Sequence, residues 1–296
     1  MFAPDQYALL DFGAGRKLEL FGQRVVDRPA PAAQQAVRTD LARWAAADAR
    51  YARYTRDTRD ARDTRDDAAR GTWAVAGPLP EPWCLCRGPL VLELQCAPSG
   101  AVGAYPEQAE NWDWLDRQVR SAGRTLNVLN LFAYTGASTL AAAAAGARVA
   151  HVDAARPVVA WARRNAALSH LDAAPVRWLV DDARKFVGRE LRRGHHYDGV
   201  ILDPPTYGHG PQAQPWELAR DLPGLLDACG RLTRRSPAFM LLTCHTPTIG
   251  PAQLEALLAD TLGSPSRRSV LARPLVLRTA DGRELSSGVV ARWPAA

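Results

Sequence analysis

Polar residues that could do chemistry follow apolar, β-prone runs at four points of this sequence. They are Asn130, Asp153, Asp182 and Asp203. In open α/β sheets a ligand binds beyond the carboxyl ends of the strands, where side chains of this kind meet. A single acid after a strand is commonly only a helix N-cap, and Asp182 taken alone fits that role. Four polar residues at successive strand ends instead predict a binding site.

The stretch 126–138 begins the unit that would position these side chains. It consists of an apolar run, a tight turn that ends in Gly136, and the start of a helix that is almost pure alanine. Alanine has the highest helix propensity, and Gly146 suits the C-cap of that helix. A β-prone run from Arg148 then ends in Asp153, at the spacing (roughly 20 residues on) at which a βαβ unit holds ribose hydroxyls. We therefore predict a mononucleotide-binding βαβ unit.

The turn itself restricts which nucleotide can bind. A dinucleotide fold needs G-x-G-x-x-G so that a pyrophosphate can approach the backbone. Here Phe132 and Tyr134 occupy the corresponding window, and Gly136 is its one glycine. A pyrophosphate would meet the edges of aromatic rings, whereas a ligand without phosphates, such as S-adenosylmethionine, needs no such clearance.

The spacing N-x-F-x-Y-T-G, from Asn130 to Gly136, overlays the acid-x-Gly-x-Gly-x-Gly motif of class I methyltransferases. In this form the chain resembles the ribosomal RNA large-subunit methyltransferase family. The resemblance implies that S-adenosylmethionine is the cofactor and that the turn 132–136 holds its methionine part. It also implies that Asp153 takes the ribose hydroxyls and that Asp182, with the amide of Ala183, takes the adenine edge.

This chain departs from the family pattern at two positions of the predicted donor site. Asn130 replaces the usual acid, so its hydrogen bond to the donor's ammonium would be neutral and weaker. The junction that passes over the donor reads Glu107-Gln108-Ala109, where the family usually has aspartate, glutamine and arginine. The predicted donor-binding residues are Gln108, Asn130, Phe132, Tyr134, Thr135, Gly136, Asp153, Asp182, Ala183 and Asp203.

The run Asp203-Pro204-Pro205-Thr206-Tyr207 is the most specific catalytic signal. An exocyclic amine is a poor nucleophile because its lone pair is delocalised into the base. Hydrogen bonds to the Asp203 carboxylate and the Pro204 carbonyl would localise that lone pair, and positioning dominates the rate of such a step. Pro205 helps to fix the turn, and Tyr207 can stack on an extruded base. Amine methyltransferases usually place the aromatic residue directly after the prolines, where this chain has Thr206.

A second chemistry, methylation of cytosine at carbon 5, is suggested by Thr243-Cys244-His245. Related RNA cytosine methyltransferases carry a nucleophilic cysteine in a Thr-Cys-Ser setting at this strand end. A Cys244 thiolate that adds to carbon 6 would make carbon 5 nucleophilic, and His245 would lower the pKa of the thiol. The alternative is that Cys244 is a core residue, the commonest role of a cysteine at the end of an apolar strand.

Composition limits the function classes. With 47% hydrophobic and 23% charged residues, the chain reads as a soluble globular protein. No run has the length of a membrane span, and the start lacks a signal-peptide pattern, so we expect a cytoplasmic protein and no membrane partner. The five cysteines are odd in number and poorly paired, and Cys84, Cys86 and Cys96 lack a fourth ligand nearby, so we predict no metal.

The basic balance of the chain favours a nucleic-acid partner. The formal net charge is +6, the pI is near 9.3, and almost all of the positive charge is arginine. A basic surface suits contact with phosphates. A GC-rich genome, which encodes arginine in place of lysine, would give the same composition, so charge alone does not decide.

The order of predicted elements indicates two domains. Residues 1–104 read as a small β-rich (α+β) domain, with a β-meander over 7–26, a helix over 32–52 and further strands from Thr72. A charged Arg-Asp repeat within an insertion near 53–71 carries no apolar stripe, so we expect it to be disordered. Residues 105–296 alternate strand and helix, which predicts a parallel sheet. They end in two strands around Ala280-Asp281-Gly282, a hairpin signal.

The predicted fold is α/β: a Rossmann-like class I methyltransferase sheet with a C-terminal antiparallel hairpin, beside the small N-terminal domain. The resemblance implies an S-adenosylmethionine-dependent methyltransferase that acts on a base of RNA, with ribosomal RNA as the expected substrate. Two alternatives stay open at this stage. One is a non-catalytic RNA-binding protein that retains the fold, and the other is a methyltransferase for small molecules or proteins. A homodimer is compatible with the sequence.

Overall fold

The computed structural model describes residues 2–54, 71–212, 214–262 and 270–295. The predicted charged insertion near 53–71 lies almost entirely outside the described residues. Two compact units are distinguished: Met1–Glu107 with Val276–Ser286, and Gln108–Leu275 with Ser287–Ala296. The boundary after residue 104 stays a prediction.

The first unit contains a five-stranded sheet in the order β1-β2-β3-β4-β5 and a two-stranded sheet of β6 and β7. Its strands are β1 (Tyr7–Gly13), β2 (Arg16–Phe21), β3 (Arg24–Pro29), β4 (Ala49–Arg53), β5 (Gly71–Val75), β6 (Cys84–Arg87) and β7 (Leu90–Glu93). The strands β1 to β3 form the predicted antiparallel meander.

The predicted helix over 32–52 is wrong. The chain there forms a 3-10 turn at Pro31–Ala33, the short helix α1 at Leu41–Ala45 and then strand β4. Asp40 caps α1 by accepting a hydrogen bond from the backbone N–H of Arg43 at 3.0 Å. Pairing of β4 with β3 and β5 overrides the local helix propensity, because ladder hydrogen bonds and burial exceed what propensity contributes.

The second unit contains a seven-stranded mixed sheet in the order β10-β9-β8-β11-β14-β16-β15. The strands of this sheet are β8 (Asn127–Leu131), β9 (Arg148–Asp153), β10 (Val176–Val180), β11 (Gly199–Leu202), β14 (Phe239–Cys244), β15 (Leu271–Arg278) and β16 (Glu284–Trp293), and residues 276–286 of the last two are grouped with the first unit. A separate two-stranded sheet consists of β12 (Tyr207–His209) and β13 (Pro215–Glu217). The helices of the second unit are α2 (Ala109–Ser121), α3 (Ala137–Ala144), α4 (Arg156–Leu168), α5 (Ala183–Arg192), α6 (Leu218–Thr233) and α7 (Pro251–Leu262).

The predicted α/β class and Rossmann-like sheet are confirmed. The strands β10, β9, β8, β11 and β14 are parallel, and β16 runs antiparallel to β14. Alternate residues of the central strands face opposite sides of the sheet. Leu129 and Leu131 join the core with α5, α6 and α7, whereas Val128 joins the core with α2 and α3. Burial on both faces is what makes these strands read as continuous apolar runs.

The register of the parallel strands brings their carboxyl ends to one edge of the sheet. Leu131 pairs with Val152 on one side and with Leu202 on the other, and Leu202 pairs with Leu242 of β14. The residues that follow each of these positions therefore lie along the same edge.

Among the helices of the described ranges, none combines the length and the apolar content that a membrane span requires.

Candidate functional site

The turn between β8 and α3 has an unusual backbone. Phe132, Tyr134 and Gly136 have φ angles of 55°, 48° and 89°, in the left-handed region. For a residue with a Cβ this region is strained, and strain of this kind persists only where the surrounding structure fixes it. The turn is held by hydrogen bonds from the Ala133 N–H to the carbonyl of Val152 at 3.1 Å and from the Asn165 amide to the carbonyl of Thr135 at 2.9 Å.

The aromatic rings of the turn pack against tryptophans of neighbouring elements. The rings of Phe132 and Trp216 lie 4.8 Å apart between centroids, and those of Tyr134 and Trp161 lie 6.4 Å apart. These contacts give the rings a packing role that glycines in the same positions could not have. The sequence motif did not reveal the two tryptophans, which lie far along the chain.

Asp153, at the end of β9, is half-buried and bonded to the turn. Its carboxylate accepts hydrogen bonds from the N–H of Tyr134 at 2.9 Å and from the N–H of Ala155 at 3.0 Å. Burial raises the pKa of Asp153, and the backbone N–H groups only partly offset that rise. Each carboxylate oxygen has two lone pairs, so the carboxylate keeps acceptor capacity for a further donor.

Asn130 is buried, and its side chain belongs to an internal network. Its amide donates to the Thr139 hydroxyl at 2.9 Å, and that hydroxyl contacts Nδ1 of His151 at 2.9 Å. Burial lowers the pKa of His151 to about 3, so its ring is neutral at physiological pH. Sequence reasoning missed Thr139 and His151, which carry no motif of their own.

Asp182 caps the N-terminus of α5. Its carboxylate accepts a hydrogen bond from the N–H of Lys185 at 2.9 Å and lies 3.5 Å from the guanidinium of Arg184. Ala183 is the first residue of α5 and is buried. The capping role expected of a lone acid is therefore present here, at the same sheet edge as Asp153.

The carboxylate of Asp203, directly after β11, forms hydrogen bonds with three other side chains. Its Oδ1 accepts a hydrogen bond from the Thr243 hydroxyl and contacts Nε2 of His245 at 3.0 Å, and its Oδ2 accepts one from Nε2 of Gln108 at 3.3 Å. Burial by itself would raise the pKa of Asp203, but the charge and hydrogen bond of His245, with the Thr243 hydroxyl, outweigh it and lower the pKa. The carboxylate is therefore ionised at neutral pH.

Gln108 is itself held by a second buried network. Its Oε1 accepts a hydrogen bond from the Asn111 amide at 2.5 Å, and Oδ1 of Asn111 accepts one from Nε of Arg292 at 3.0 Å. Asn111 and Arg292 are buried and come from α2 and β16. The sequence predicted Gln108 but not these two supporting residues: Asn111 lies one helical turn further along but belongs to no motif, and Arg292 is remote in the chain.

The proline turn after Asp203 is fixed by the chain that follows it. Trp216 donates its indole N–H to the carbonyl of Pro205 at 2.7 Å, and the N–H of Leu218 donates to the carbonyl of Thr206 at 2.9 Å. Pro204 is buried, whereas the side chain of Tyr207 at the start of β12 is 72% exposed. The turn is thus rigid, with an accessible aromatic ring at its end.

Cys244, the last residue of β14, is buried in the hydrophobic core. Burial raises the pKa of the Cys244 thiol, with hydrogen bonding by Thr246 only partly opposing it. The two ring nitrogens of His245 contact Asp203 and the carbonyl of Ser287. Cys244 is therefore in the environment of a core cysteine, which disfavours formation of its thiolate.

No group of three or more histidine, cysteine, aspartate or glutamate side chains comes close enough to hold a metal ion in the part of the chain that the structure describes.

Comparison with known proteins identifies the family. A family model described as S-adenosylmethionine-dependent methyltransferase matches residues 17–270. A crystal structure of such a methyltransferase from Agrobacterium tumefaciens is 35% identical, with a TM-score of 0.87, and the alignment covers 99% of this chain and 91% of that one. A methyltransferase structure from Streptococcus mutans has the same fold at 15% identity and a TM-score of 0.71, with 97% and 74% covered.

Curated relatives match over part of the chain. Ribosomal RNA large subunit methyltransferase K/L of Shewanella frigidimarina is 33% identical over 44% of this chain and 18% of the relative. The protein of the same name from Hahella chejuensis is 37% identical over 39% of this chain and 16% of the relative. The matched region thus spans less than a fifth of the length of these relatives.

Proposed function

We propose that this chain, which belongs to the S-adenosylmethionine-dependent methyltransferase family, transfers a methyl group from S-adenosylmethionine to a base of RNA. The curated relatives named as ribosomal RNA methyltransferases support ribosomal RNA as the substrate. The net charge of +6 also supports a polyanionic partner. With a ribosomal substrate, the protein would act in the cytoplasm. The homodimer stays a prediction.

The residues of the sheet edge fit the donor that the family uses. The half-buried Asp153 carboxylate keeps acceptor capacity beyond its backbone partners, which suits the two ribose hydroxyls. Burial raises the pKa of Asp153, and neutral hydroxyl donors would complete its hydrogen bonds. The turn 132–136, Asp182, Ala183 and Gln108 are the further donor contacts that we propose.

The ionised Asp203 carboxylate in a rigid proline turn is the observation that carries the proposal. It can accept a hydrogen bond from an exocyclic amine, and the Pro204 carbonyl can accept a second, so that the nitrogen lone pair is localised. The nitrogen then forms a bond to the methyl carbon as the carbon–sulfur bond breaks and sulfur takes the electron pair. Asp203 is poised to accept the proton that the methylated nitrogen loses. Tyr207 offers an exposed ring for stacking of the base.

Methylation of cytosine at carbon 5 is the less favoured chemistry. It needs a Cys244 thiolate, whereas Cys244 is buried and its pKa is raised. An amine target requires no covalent intermediate and uses the Asp203 carboxylate, which is ionised.

The proposal is tested with the purified chain, a tritium-labelled methyl donor and unmodified ribosomal RNA transcripts. We expect binding of the donor by calorimetry, label in the RNA, and loss of transfer in Asp203→Asn. Asp172→Asn, an exposed aspartate outside the site, is the matched control and should retain transfer. Donor binding without any transfer would favour a non-catalytic RNA-binding protein. Transfer to protein or to small molecules of an extract, but not to RNA, would favour the other alternative.

A further inference from the structure

His245 is the residue directly after β14, and its two ring nitrogens form hydrogen bonds with two different acceptors. Its Nδ1 lies 2.6 Å from the carbonyl oxygen of Ser287, and its Nε2 lies 3.0 Å from Oδ1 of Asp203. A carbonyl oxygen can only accept, so Nδ1 must carry a proton. The contact with Asp203 therefore needs a second proton between Nε2 and Oδ1, because two lone pairs would otherwise face each other.

The surroundings of Asp203 favour the histidine as the site of the second proton. Although burial opposes ionisation of Asp203, His245 and the Thr243 hydroxyl keep the pKa of its carboxyl below the usual range. The neutral amide of Gln108 reaches the other oxygen of Asp203, so it does not compete with His245 for Oδ1. The two hydrogen bonds of the ring therefore favour a carboxylate–imidazolium pair of Asp203 and His245.

The two carboxylate oxygens of Asp203 have different surroundings. Oδ1 accepts hydrogen bonds from both His245 and Thr243, whereas Oδ2 accepts one long hydrogen bond, of 3.3 Å, from Gln108. The Asp203 side chain is 30% exposed, so a substrate can reach it. Anchoring of Oδ1 sets the rotation of the carboxylate and leaves Oδ2 as the acceptor for an incoming amine.

Gly288 of β16 makes room for the imidazole. A Cβ at this position would lie 2.9 Å from Nδ1 of His245 and 2.6 Å from the carbonyl oxygen of Cys244, and the φ angle of Gly288 is +126°. Any larger residue would displace the ring or the strand. The ring is therefore seated by β14, β16 and Asp203 together.

We propose that His245 is a positioning residue: as an imidazolium it holds Oδ1 of Asp203, so that Oδ2 faces the amine of the target base. This inference rests on the proposed function, because it assigns a role within amine methylation. It also explains why a histidine follows Cys244 where the covalent route would have a serine. His245 does not touch the reacting atoms and acts through the orientation and charge of Asp203.

The protonation of His245 is tested first, without any substrate. In a proton–nitrogen NMR spectrum of the histidine-labelled chain at pH 7.5, we expect a ring with both nitrogens protonated. Its signal is assigned by its loss in His245→Gln, and it should turn into that of a neutral ring in Asp203→Asn. A neutral His245 ring in the wild-type chain would overturn the inference.

The positioning role is tested by kinetics. His245→Ala should lower kcat by roughly tenfold to a hundredfold, the cost of a misplaced catalytic group, with the donor Kd and the KM for RNA changed less than about twofold. His245→Gln can still donate to Oδ1 and should recover part of kcat. His170→Asn, at an exposed histidine with a φ of 55° that asparagine tolerates, is the matched control.

The outcomes separate the two proposals. If the wild-type chain binds the donor but methylates no RNA, the proposed function fails, while the ring spectrum still decides the state of His245. If RNA is methylated and His245→Ala keeps the wild-type kcat, the inference fails and the proposed function stands. Thermal unfolding of each variant shows whether a loss of kcat reflects a loss of folded protein.

Discussion

The backbone N–H of Tyr134 donates to the carboxylate of Asp153 over 2.9 Å. This hydrogen bond joins the turn after β8 to the end of β9, so the acid that we propose as a donor contact also helps to fix the turn. The backbone strain at Tyr134 is held in part by this bond. A change at Asp153 should therefore affect donor binding in two ways, through a lost ligand contact and through a looser turn.

We expect Asp153→Ala to weaken binding of S-adenosylmethionine by about tenfold to a hundredfold, since hydrogen bonds to a charged group contribute about 1.5–3 kcal/mol. Titration calorimetry measures the Kd directly. Asp172→Ala serves as the control, because it removes an exposed carboxylate outside the site. An unchanged Kd in Asp153→Ala would contradict the donor site proposed above.

Gly136→Ala should destabilise the fold by about 1–2 kcal/mol through left-handed strain and should also weaken donor binding. The new Cβ would lie 3.1 Å from Cβ of Ala162, so the turn must shift. Gly123→Ala is a matched control, because Gly123 also has a left-handed φ of +66° but has open space around its Cβ position. Urea unfolding should show a similar loss of stability for both variants. Calorimetry should show a loss of donor affinity for Gly136→Ala alone.

Tyr207→Ala should raise the KM for RNA by roughly fivefold or more, because stacking of a base on an aromatic ring contributes about 1–3 kcal/mol. The ring is exposed in the free protein, so the fold should be unaffected. Tyr207→Phe keeps the ring and should retain most of the RNA affinity. Loss of activity in Tyr207→Phe equal to that in Tyr207→Ala would point to the hydroxyl instead of the ring.

Cys244→Ala should retain methyl transfer, since the buried thiol has no role in the amine route. Its stability should fall, as expected for a core truncation, and Cys229→Ala, at another fully buried cysteine, provides the comparison. Transfer assays at equal folded fractions separate the two effects. Complete loss of transfer in Cys244→Ala, but not in Cys229→Ala, would support the covalent cytosine route.

Asp198 should make the stability of the fold depend on acid pH. It is buried and accepts hydrogen bonds from Arg124 at 2.8 Å and from the N–H of Asn127 at 2.7 Å. Burial opposes its ionisation, but these bonds and that of Ser236 outweigh it and lower the pKa from the ordinary 3.8. Because the folded-state pKa lies below the unfolded-state value, the stabilisation is fully present above the unfolded-state value and is lost as the pH falls through the folded-state pKa.

We therefore expect Asp198→Asn to lower the free energy of unfolding by about 1.5–3 kcal/mol at pH 7, as measured by urea unfolding. The difference from the wild type should shrink below pH 3.8, the ordinary value for the carboxyl. A difference that stays constant from neutral to strongly acid pH would mean that the Asp198 charge does not support the fold.

The sequence by itself determined the strand–helix alternation of the second unit and the residues that end its strands. Apolar runs buried on both faces of a sheet leave a clear signal, and the turn 132–136 leaves another because its residue types are restricted locally. The helix expected over 32–52 failed for the opposite reason. Its local pattern was helical, but β4 gains more from pairing with strands that lie elsewhere in the chain.

Only the tertiary structure decided how the site residues are held. His245 contacts Asp203, Gln108 depends on Asn111 and Arg292, and Asn130 turns inward to Thr139 and His151. Most of these partners come from separate strands or helices, and no motif in the sequence relates them to the residues that they hold. The sequence could name the groups at the strand ends because backbone geometry brings those ends together. It could not name their partners, because side-chain contacts depend on how separate elements pack.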